Sequence, residues 1–234
     1  ADGNVVFPLG SYVITEVKAP TGYLLSGNTE TMKVTEDGTD KKYTANIKTA
    51  HDSDEIIMGG VKIAKIDKVR NLNVPQGDAT LEGAEFTIYN RSENSVIVNG
   101  TEYGSGKGVL TIRTDDKGIA QSDMVLPYGS YTIRETKAST GYLLNETWEQ
   151  SFKIREDGEI IDLTGKPTDE EIKLGAIKVY KLDKDLGRNE AQGDATLIGA
   201  EFTVYNKSKV SVIVDGVEYQ PDVAITTIST GPDA

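Results

Sequence analysis

The chain has 234 residues and a formal net charge of −12, from 37 acidic against 25 basic side chains, with one histidine and no cysteine. That length suits about two domains, and the acidic balance argues against a nucleic-acid surface and against adhesion to anionic lipid. Without cysteine there are no disulfides, thiolate metal sites or thiol nucleophiles, so a secreted chain of this kind needs a large core or another covalent link for stability.

The opening Ala1-Asp2-Gly3-Asn4 has neither the basic nor the apolar region of a signal peptide. No apolar run approaches the roughly 18 residues of a membrane span. A mature or excised segment is therefore expected. Along the chain, Glu36-Asp37-Gly38 predicts a hairpin turn, and so does Glu156-Asp157-Gly158. Val61, Ile63 and Lys65 share one face of a strand and Lys62, Ala64 and Ile66 the other. Phe86 and Ile88 alternate with Glu85 and Thr87 in the same way. Gly104-Ser105-Gly106-Lys107-Gly108 lacks the ending of a phosphate loop and reads as a hairpin tip. A β-rich run, Ser130-Tyr131-Thr132-Ile133-Arg134, follows the turn at Pro127-Tyr128-Gly129. Long helical periodicity is missing. The pattern predicts an all-β protein, an antiparallel sandwich of roughly seven strands per domain, with Val61, Ile63, Phe86, Ile88, Tyr131 and Ile133 in its core.

An internal repeat organises these strands. Gly77-Asp78-Ala79-Thr80-Leu81 through Asn90 recurs as Gly193-Asp194-Ala195-Thr196-Leu197 through Asn206, and Val61 to Asp67 recurs as Ile177 to Asp183, both at an offset of 116 residues. A second set of matches joins Gly10-Ser11-Tyr12 through Leu25 to Gly129-Ser130-Tyr131 through Leu144. Residues 60–175 thus hold both halves of the pattern. Residues 1–59 hold only its second half and residues 176–234 only its first. Joining the tail to the head restores the missing join: Ile228 to Pro8 takes 14 steps, against 15 from Ile112 to Pro127. The expectation is a complete domain flanked by two half domains.

These motifs resemble a known family, the B-type repeat domains of Gram-positive collagen adhesins, found also in pilin shafts. The resemblance rests on Lys65 and Asp67 near the domain start, on Leu81 to Phe86, and on Tyr131 to Tyr142. Lys181 and Asp183, Leu197 to Phe202, and Tyr12 to Tyr23 repeat them. It implies an immunoglobulin-like, transthyretin-like sandwich in an extracellular stalk or shaft on a bacterial surface. It also implies an internal amide between a first-strand Lys and a last-strand Asn or Asp, assisted by a buried Glu. By motif the lysines are Lys65 and Lys181, and the assisting carboxyls are Glu135 and Glu16. Asp162 is the expected acceptor for Lys65, and Asn46, at the same spacing from the next Lys, for Lys181. Glu171-Ile172-Lys173-Leu174, just before the next domain, offers no Asn. Two readings of Lys65 stay open, a covalent amide and a buried ion pair, since an unpaired ammonium on an apolar face is costly. An apolar site depresses the lysine pKa and frees the amine as a nucleophile, while a carboxyl of raised pKa shuttles the protons.

Other constellations carry less. His51 sits in the polar run Thr49 to Asp54 and reads as a solvated linker residue. Asp115-Asp116 and Asp52-Ser53-Asp54-Glu55 lack the spaced ligands of a calcium loop. Trp148 and Tyr142 read as core aromatics before a sugar platform. No cofactor or metal is expected. Three function classes remain: a structural fibre module, a ligand-binding adhesin domain, and an enzyme, for which one histidine and no cysteine leave little machinery. The fibre reading makes neighbouring copies the partner. The first half in residues 176–234 would complete the second half in residues 1–59 of the next copy, head to tail, either between separate chains by strand complementation, which generates a filament, or as continuous backbone in a longer tandem array.

Overall fold

The computed structural model describes residues 7–34 and 53–231. The amino-terminal half carries one hairpin, β1 (Gly10–Thr15) and β2 (Thr29–Val34). The central unit follows, with β3 (Met58–Asp67), β4 (Glu85–Asn90), β5 (Val96–Val98), β6 (Thr101–Tyr103), β7 (Gly108–Arg113) and β8 (Ile119–Gln121). It continues with β9 (Leu126–Pro127), β10 (Gly129–Lys137), β11 (Glu149–Ile154), β12 (Glu159–Asp162) and β13 (Thr168–Glu170). The carboxy-terminal half carries β14 (Glu201–Tyr205), β15 (Val212–Val214), β16 (Val217–Tyr219) and β17 (Ala224–Ser229).

Two sheets face each other in the central unit. One has the antiparallel order β11-β10-β4-β7. The other is built on β3, which pairs antiparallel with β8 and β9 and parallel with β12 and β13. The parallel pairing departs from a fully antiparallel sandwich, because the first and last strands lie side by side and point the same way. The last strand is also broken: β12 follows Gly59 to Lys62 and β13 follows Lys65 to Asp67, with a turn between them. Glu156-Asp157-Gly158 is not a hairpin turn. It carries the chain from β11 in one sheet to β12 in the other, and it is tied to β3, with Gly158 N donating to Met58 O (2.9 Å) and Met58 N to Asp157 Oδ1 (3.0 Å). The Glu36-Asp37-Gly38 turn, His51 and Asn46 lie outside the described residues.

Side-chain alternation explains the core. Val61, Ile63, Phe86, Ile88, Tyr131 and Ile133 are all buried, at 0–1% exposure. Trp148 closes the same core, its ring edge-on to Phe86 at 5.5 Å between centroids. The sheets approach so closely at Gly59 that a Cβ there would lie 2.8 Å from Ile154 Cγ2 and from the Glu159 carbonyl. Asn99 and Gly100, both at positive φ, make the two-residue turn between β5 and β6. The flanking halves contrast with this: Ile14, the counterpart of Ile133, is 46% exposed, and Ile177, the counterpart of Val61, 66%. Residues 177–183, the counterpart of the core half of β3, form no strand here, since the strands that would pair with them belong to the other half of the repeat.

The repeat supplies its own control. Ile133→Ala is expected to cost about 2–5 kcal/mol of unfolding free energy. The same change at its counterpart Ile14, which is 46% exposed, is expected to cost under about 0.5 kcal/mol in the isolated chain. Urea denaturation of both variants checks this; equal losses would contradict it.

Candidate functional site: a buried lysine between two carboxyls

Three strands from both sheets aim charged side chains into the core. Lys65 projects from β3 on the face of Val61 and Ile63, and Glu135 from β10 on the face of Tyr131 and Ile133. Glu170 projects from β13 beside Thr168, whose backbone is in register with Lys65. A break in register after Glu135 ends its regular pairing with β4. Lys65 Nζ lies 2.7 Å from Glu135 Oε1 and 2.8 Å from Glu170 Oε2, and all three side chains are 0% exposed.

The remaining oxygens are also held. Glu135 Oε2 accepts from Asn145 N (2.9 Å), and Glu170 Oε1 accepts from Thr168 Oγ1 (2.9 Å). Asn145 Nδ2 donates in turn to Asp169 O (3.0 Å), fixing its loop to β13. The Tyr142 ring stands 5.7 Å from Nζ, and its hydroxyl donates to Asp67 Oδ2 (2.9 Å). Asp67 is itself buried and also accepts from Gln76 Nε2 and Arg70 N. Burial raises the Tyr142 phenol, and the bond to Asp67 adds to the rise.

Two carboxylates and one ammonium would leave a net negative charge in an apolar site, which is expensive. Burial therefore pushes Glu170 up to about 7, against the pull of the Lys65 ammonium, with Glu135 adding to the rise. A neutral Glu170 leaves the site without net charge. Since the folded state holds this proton more tightly, the associated stability is present below the ordinary value of 4.5 and lost as pH rises through about 7.

The positions expected from sequence fare unequally. Lys65 and Glu135 meet. Asp162 does not join them: its backbone pairs with Lys62, its side chain is exposed, its Oδ1 accepts from Thr164 N (2.8 Å), and the Thr164 hydroxyl and then its amide lower its pKa. The break between β12 and β13 is the reason, because it brings Thr168 rather than Asp162 level with Lys65. Glu170 takes the position beside the lysine. Its signal in the sequence is the alternation Thr168-Asp169-Glu170, directly before Glu171-Ile172-Lys173-Leu174. In the flanking halves, Glu16 Oε2 accepts from Ser26 N (3.1 Å) as Glu135 accepts from Asn145, and Lys181 is exposed. The counterpart of Glu170 at the 116-residue offset is Asp54, because Glu55-Ile56 matches Glu171-Ile172 and the bridge Tyr23–Ile56 matches Tyr142–Ile172. Tyr142 and Trp148 are core residues, at 0% and 8% exposure. Asp115 binds its own turn, accepting from Lys117 N and Ile119 N.

Lys65→Met leaves two carboxyls facing each other without a cation. It is expected to cost about 3–5 kcal/mol at neutral pH. The loss should shrink as pH falls from about 7 toward 4.5, where Glu170 is held protonated and the repulsion between the two groups is relieved. Chemical denaturation across that range measures it, and a loss independent of pH would contradict the account.

No curated protein matches the chain. Among solved structures, the TIE protein of Bacillus anthracis is similar over 96% of this chain and 33% of its own, at 27% identity and a TM-score of 0.50. The chain thus spans about a third of that protein's length. The major pilin BcpA of Bacillus cereus matches over 51% of this chain and 31% of its own (24% identity, TM-score 0.35). RrgB, the major pilin of Streptococcus pneumoniae, matches over 67% and 38% (14% identity, TM-score 0.33). A family model, the SpaA prealbumin-like fold domain, matches residues 1–49 and 59–169. That is more than half of the chain, which therefore belongs to the SpaA prealbumin-like fold domain family.

Proposed function

We propose that the chain is a load-bearing length of an extracellular bacterial surface fibre, in which first and last strands are stapled by amides formed autocatalytically. The observation that carries this reading is the fully buried Lys65 Nζ, within 2.8 Å of the Glu170 carboxyl and 2.7 Å of a second carboxyl placed to move protons. Family membership and the all-β architecture support the structural role.

The chemistry balances. Glu135 takes one proton from the Lys65 ammonium. Nζ then attacks the carboxyl carbon of neutral Glu170, forming the C–N bond. The C–O bond breaks, and the hydroxyl leaves with a second ammonium proton as water. One hydrogen stays on the amide nitrogen and Glu135 keeps its proton, so the product site is neutral. Burial favours the protonated Glu170, Glu135 lies within reach of the ammonium protons, and the fold supplies the proximity. Glu replaces the Asn or Asp that the family resemblance led us to expect. The link would join β3 to β13, so tension entering near Lys65 would leave near Glu170 and bypass the strands between.

The same set is divided between the flanking halves. Lys181 lies in the carboxy-terminal half, Glu16 and Asp54 in the amino-terminal half. In a head-to-tail assembly the first half of one copy completes the second half of the next, and Lys181 meets Asp54 with Glu16 in the role of Glu135. Ile14 and Ile177, exposed here, take the core places that Ile133 and Val61 hold in the central unit.

Denaturing electrophoresis of the concentrated chain is expected to show a boiling-resistant ladder in steps of 25.3 kDa, lost in Lys181→Ala and in Asp54→Ala. A single band with no filaments by electron microscopy would overturn the assembly reading.

A further inference from the structure

The junction between the central unit and the carboxy-terminal half is a built contact. Residues 76–80 of the central unit form a loop held from two sides. On its own unit's side, Thr80 N donates to Thr140 O (3.0 Å). Gly141, at φ +90, lies so close that a Cβ would stand 2.5 Å from Ala79 Cβ. On the other side the following half grips the loop. Gly77 N donates to Ser211 O (3.0 Å), Ile213 N to Gln76 Oε1 (2.9 Å) and Lys209 N to Asp78 Oδ1 (3.2 Å). Arg70 locks the contact, with Nη2 donating to Ser211 O (3.0 Å) and Nη1 to Glu218 Oε1 (2.7 Å).

At the other junction both sides of this clamp are in place, without the loop. The amino-terminal half supplies residues 21–23, which correspond to 140–142. The central unit supplies residues 92–97, which correspond to 208–213. A cavity of about 650 Å³ lies between these two segments, lined also by Asp54. Its walls are the counterparts of the segments that grip the loop in the complete junction, and the Tyr128 side chain stands against Gly22 where Ala79 stands against Gly141, so that ring turns aside when the loop enters. Burial agrees: Ser211 is buried against the loop, whereas its counterpart Ser95 is exposed and Ile97 is 61% exposed.

A loop of matching sequence is available. Gln192-Gly193-Asp194-Ala195-Thr196-Leu197 repeats Gln76-Gly77-Asp78-Ala79-Thr80-Leu81 residue for residue. It is shaped in the same way, with Gln192 Nε2 donating to Asp183 Oδ1 (2.8 Å) as Gln76 donates to Asp67. Gln192 and Gly193 are exposed. The chain cannot fill its own slot. Gly22 O accepts from Ile57 N at the start of β3, while the carboxy-terminal half docks beyond Asp67 at its end. The ten residues of β3 alone separate these by roughly 30 Å.

We propose that the cavity between residues 21–23 and 92–97 is the docking slot for the 192–197 loop of a second copy of this chain. The inference rests on the head-to-tail reading above and adds the surface that sets its register. It also assigns a difference between the two kinds of junction. Leu186 stands where Arg70 stands, since Leu186 N donates to Asp183 Oδ1 (2.9 Å) as Arg70 N donates to Asp67 Oδ1 (2.8 Å). Glu102 is bonded by Ser95 Oγ as Glu218 is by Ser211 Oγ, but the incoming loop brings it no guanidinium. The junction between copies is therefore the weaker one.

Cysteine pairing in the otherwise cysteine-free full chain tests this. Glu93 and Asp194 correspond to Lys209 and Asp78, which touch in the complete junction. The double variant Glu93→Cys/Asp194→Cys is expected to oxidise into a ladder that collapses on reduction, beyond the dimers formed by each single variant. Leu186→Arg is expected to tighten self-association roughly threefold by giving Glu102 a partner, and adding Glu102→Gln should remove the gain. If light scattering shows the unaltered chain associating while the cysteine pair does not ladder and Leu186→Arg has no effect, the slot is wrong and head-to-tail association stands. If the unaltered chain stays monomeric, both are wrong.

Discussion

The central unit is organised around one buried lysine nitrogen. Lys65 sits on the face that β3 turns to the core, and no solvent reaches it. An isolated charge there would cost more than the whole fold is worth. Its neighbours follow from that constraint. Glu135 must face inward from the opposite sheet, the last strand must break so that Thr168 comes level with the lysine and Glu170 reaches it from two residues on, and Asn145 must cap the free carboxylate oxygen. Tyr142 and Asp67 form the next layer, and Asp67 passes the order outward to Gln76 and Arg70. Those two residues then grip the next half, so the polar core is continuous with the junction.

Much of this was legible in the sequence. Strict alternation in Val61 to Ile66, in Phe86 to Ile88 and in Tyr131 to Ile133 reports the core faces directly, because side-chain direction in a strand has period two. The same parity placed Lys65 and Glu135 inside. The second carboxyl beside Lys65 was not legible in the same way. Asp162 and Asn46 share a spacing to the next lysine, but spacing does not reveal that a strand is interrupted, and the turn after Asp162 moves the register past it. Glu170 was hidden by its residue type and Asp54 by its polar surroundings. Both emerge from the pairings of Tyr142 with Ile172 and Tyr23 with Ile56. The crossover at Glu156-Asp157-Gly158 was misread for a related reason, since a turn sequence does not say which sheet the next strand joins.

The repeat also shows how one sequence pattern behaves in two contexts. Ile133 and Ile14, or Lys65 and Lys181, occupy the same place in the pattern, yet one of each pair is buried and the other is not. Burial here is a property of the completed unit rather than of the segment. Apolar side chains such as Ile14 and Ile177 stay exposed in the flanking halves, and on the head-to-tail reading proposed above the next copy covers them. The exchange of Arg70 for Leu186 grades the two junctions without altering the loop that fits them.

The central claim is that Lys65 and Glu170 are covalently joined. The mass of the fully denatured chain tests it most directly. The account predicts a value about 18 Da, one water, below that of the sequence, with Lys65 and Glu170 recovered in one branched peptide after proteolysis, and the full mass restored in Glu135→Ala. The full sequence mass in the unaltered protein, with the two residues in separate peptides, would contradict it and leave the site as a buried ion triad.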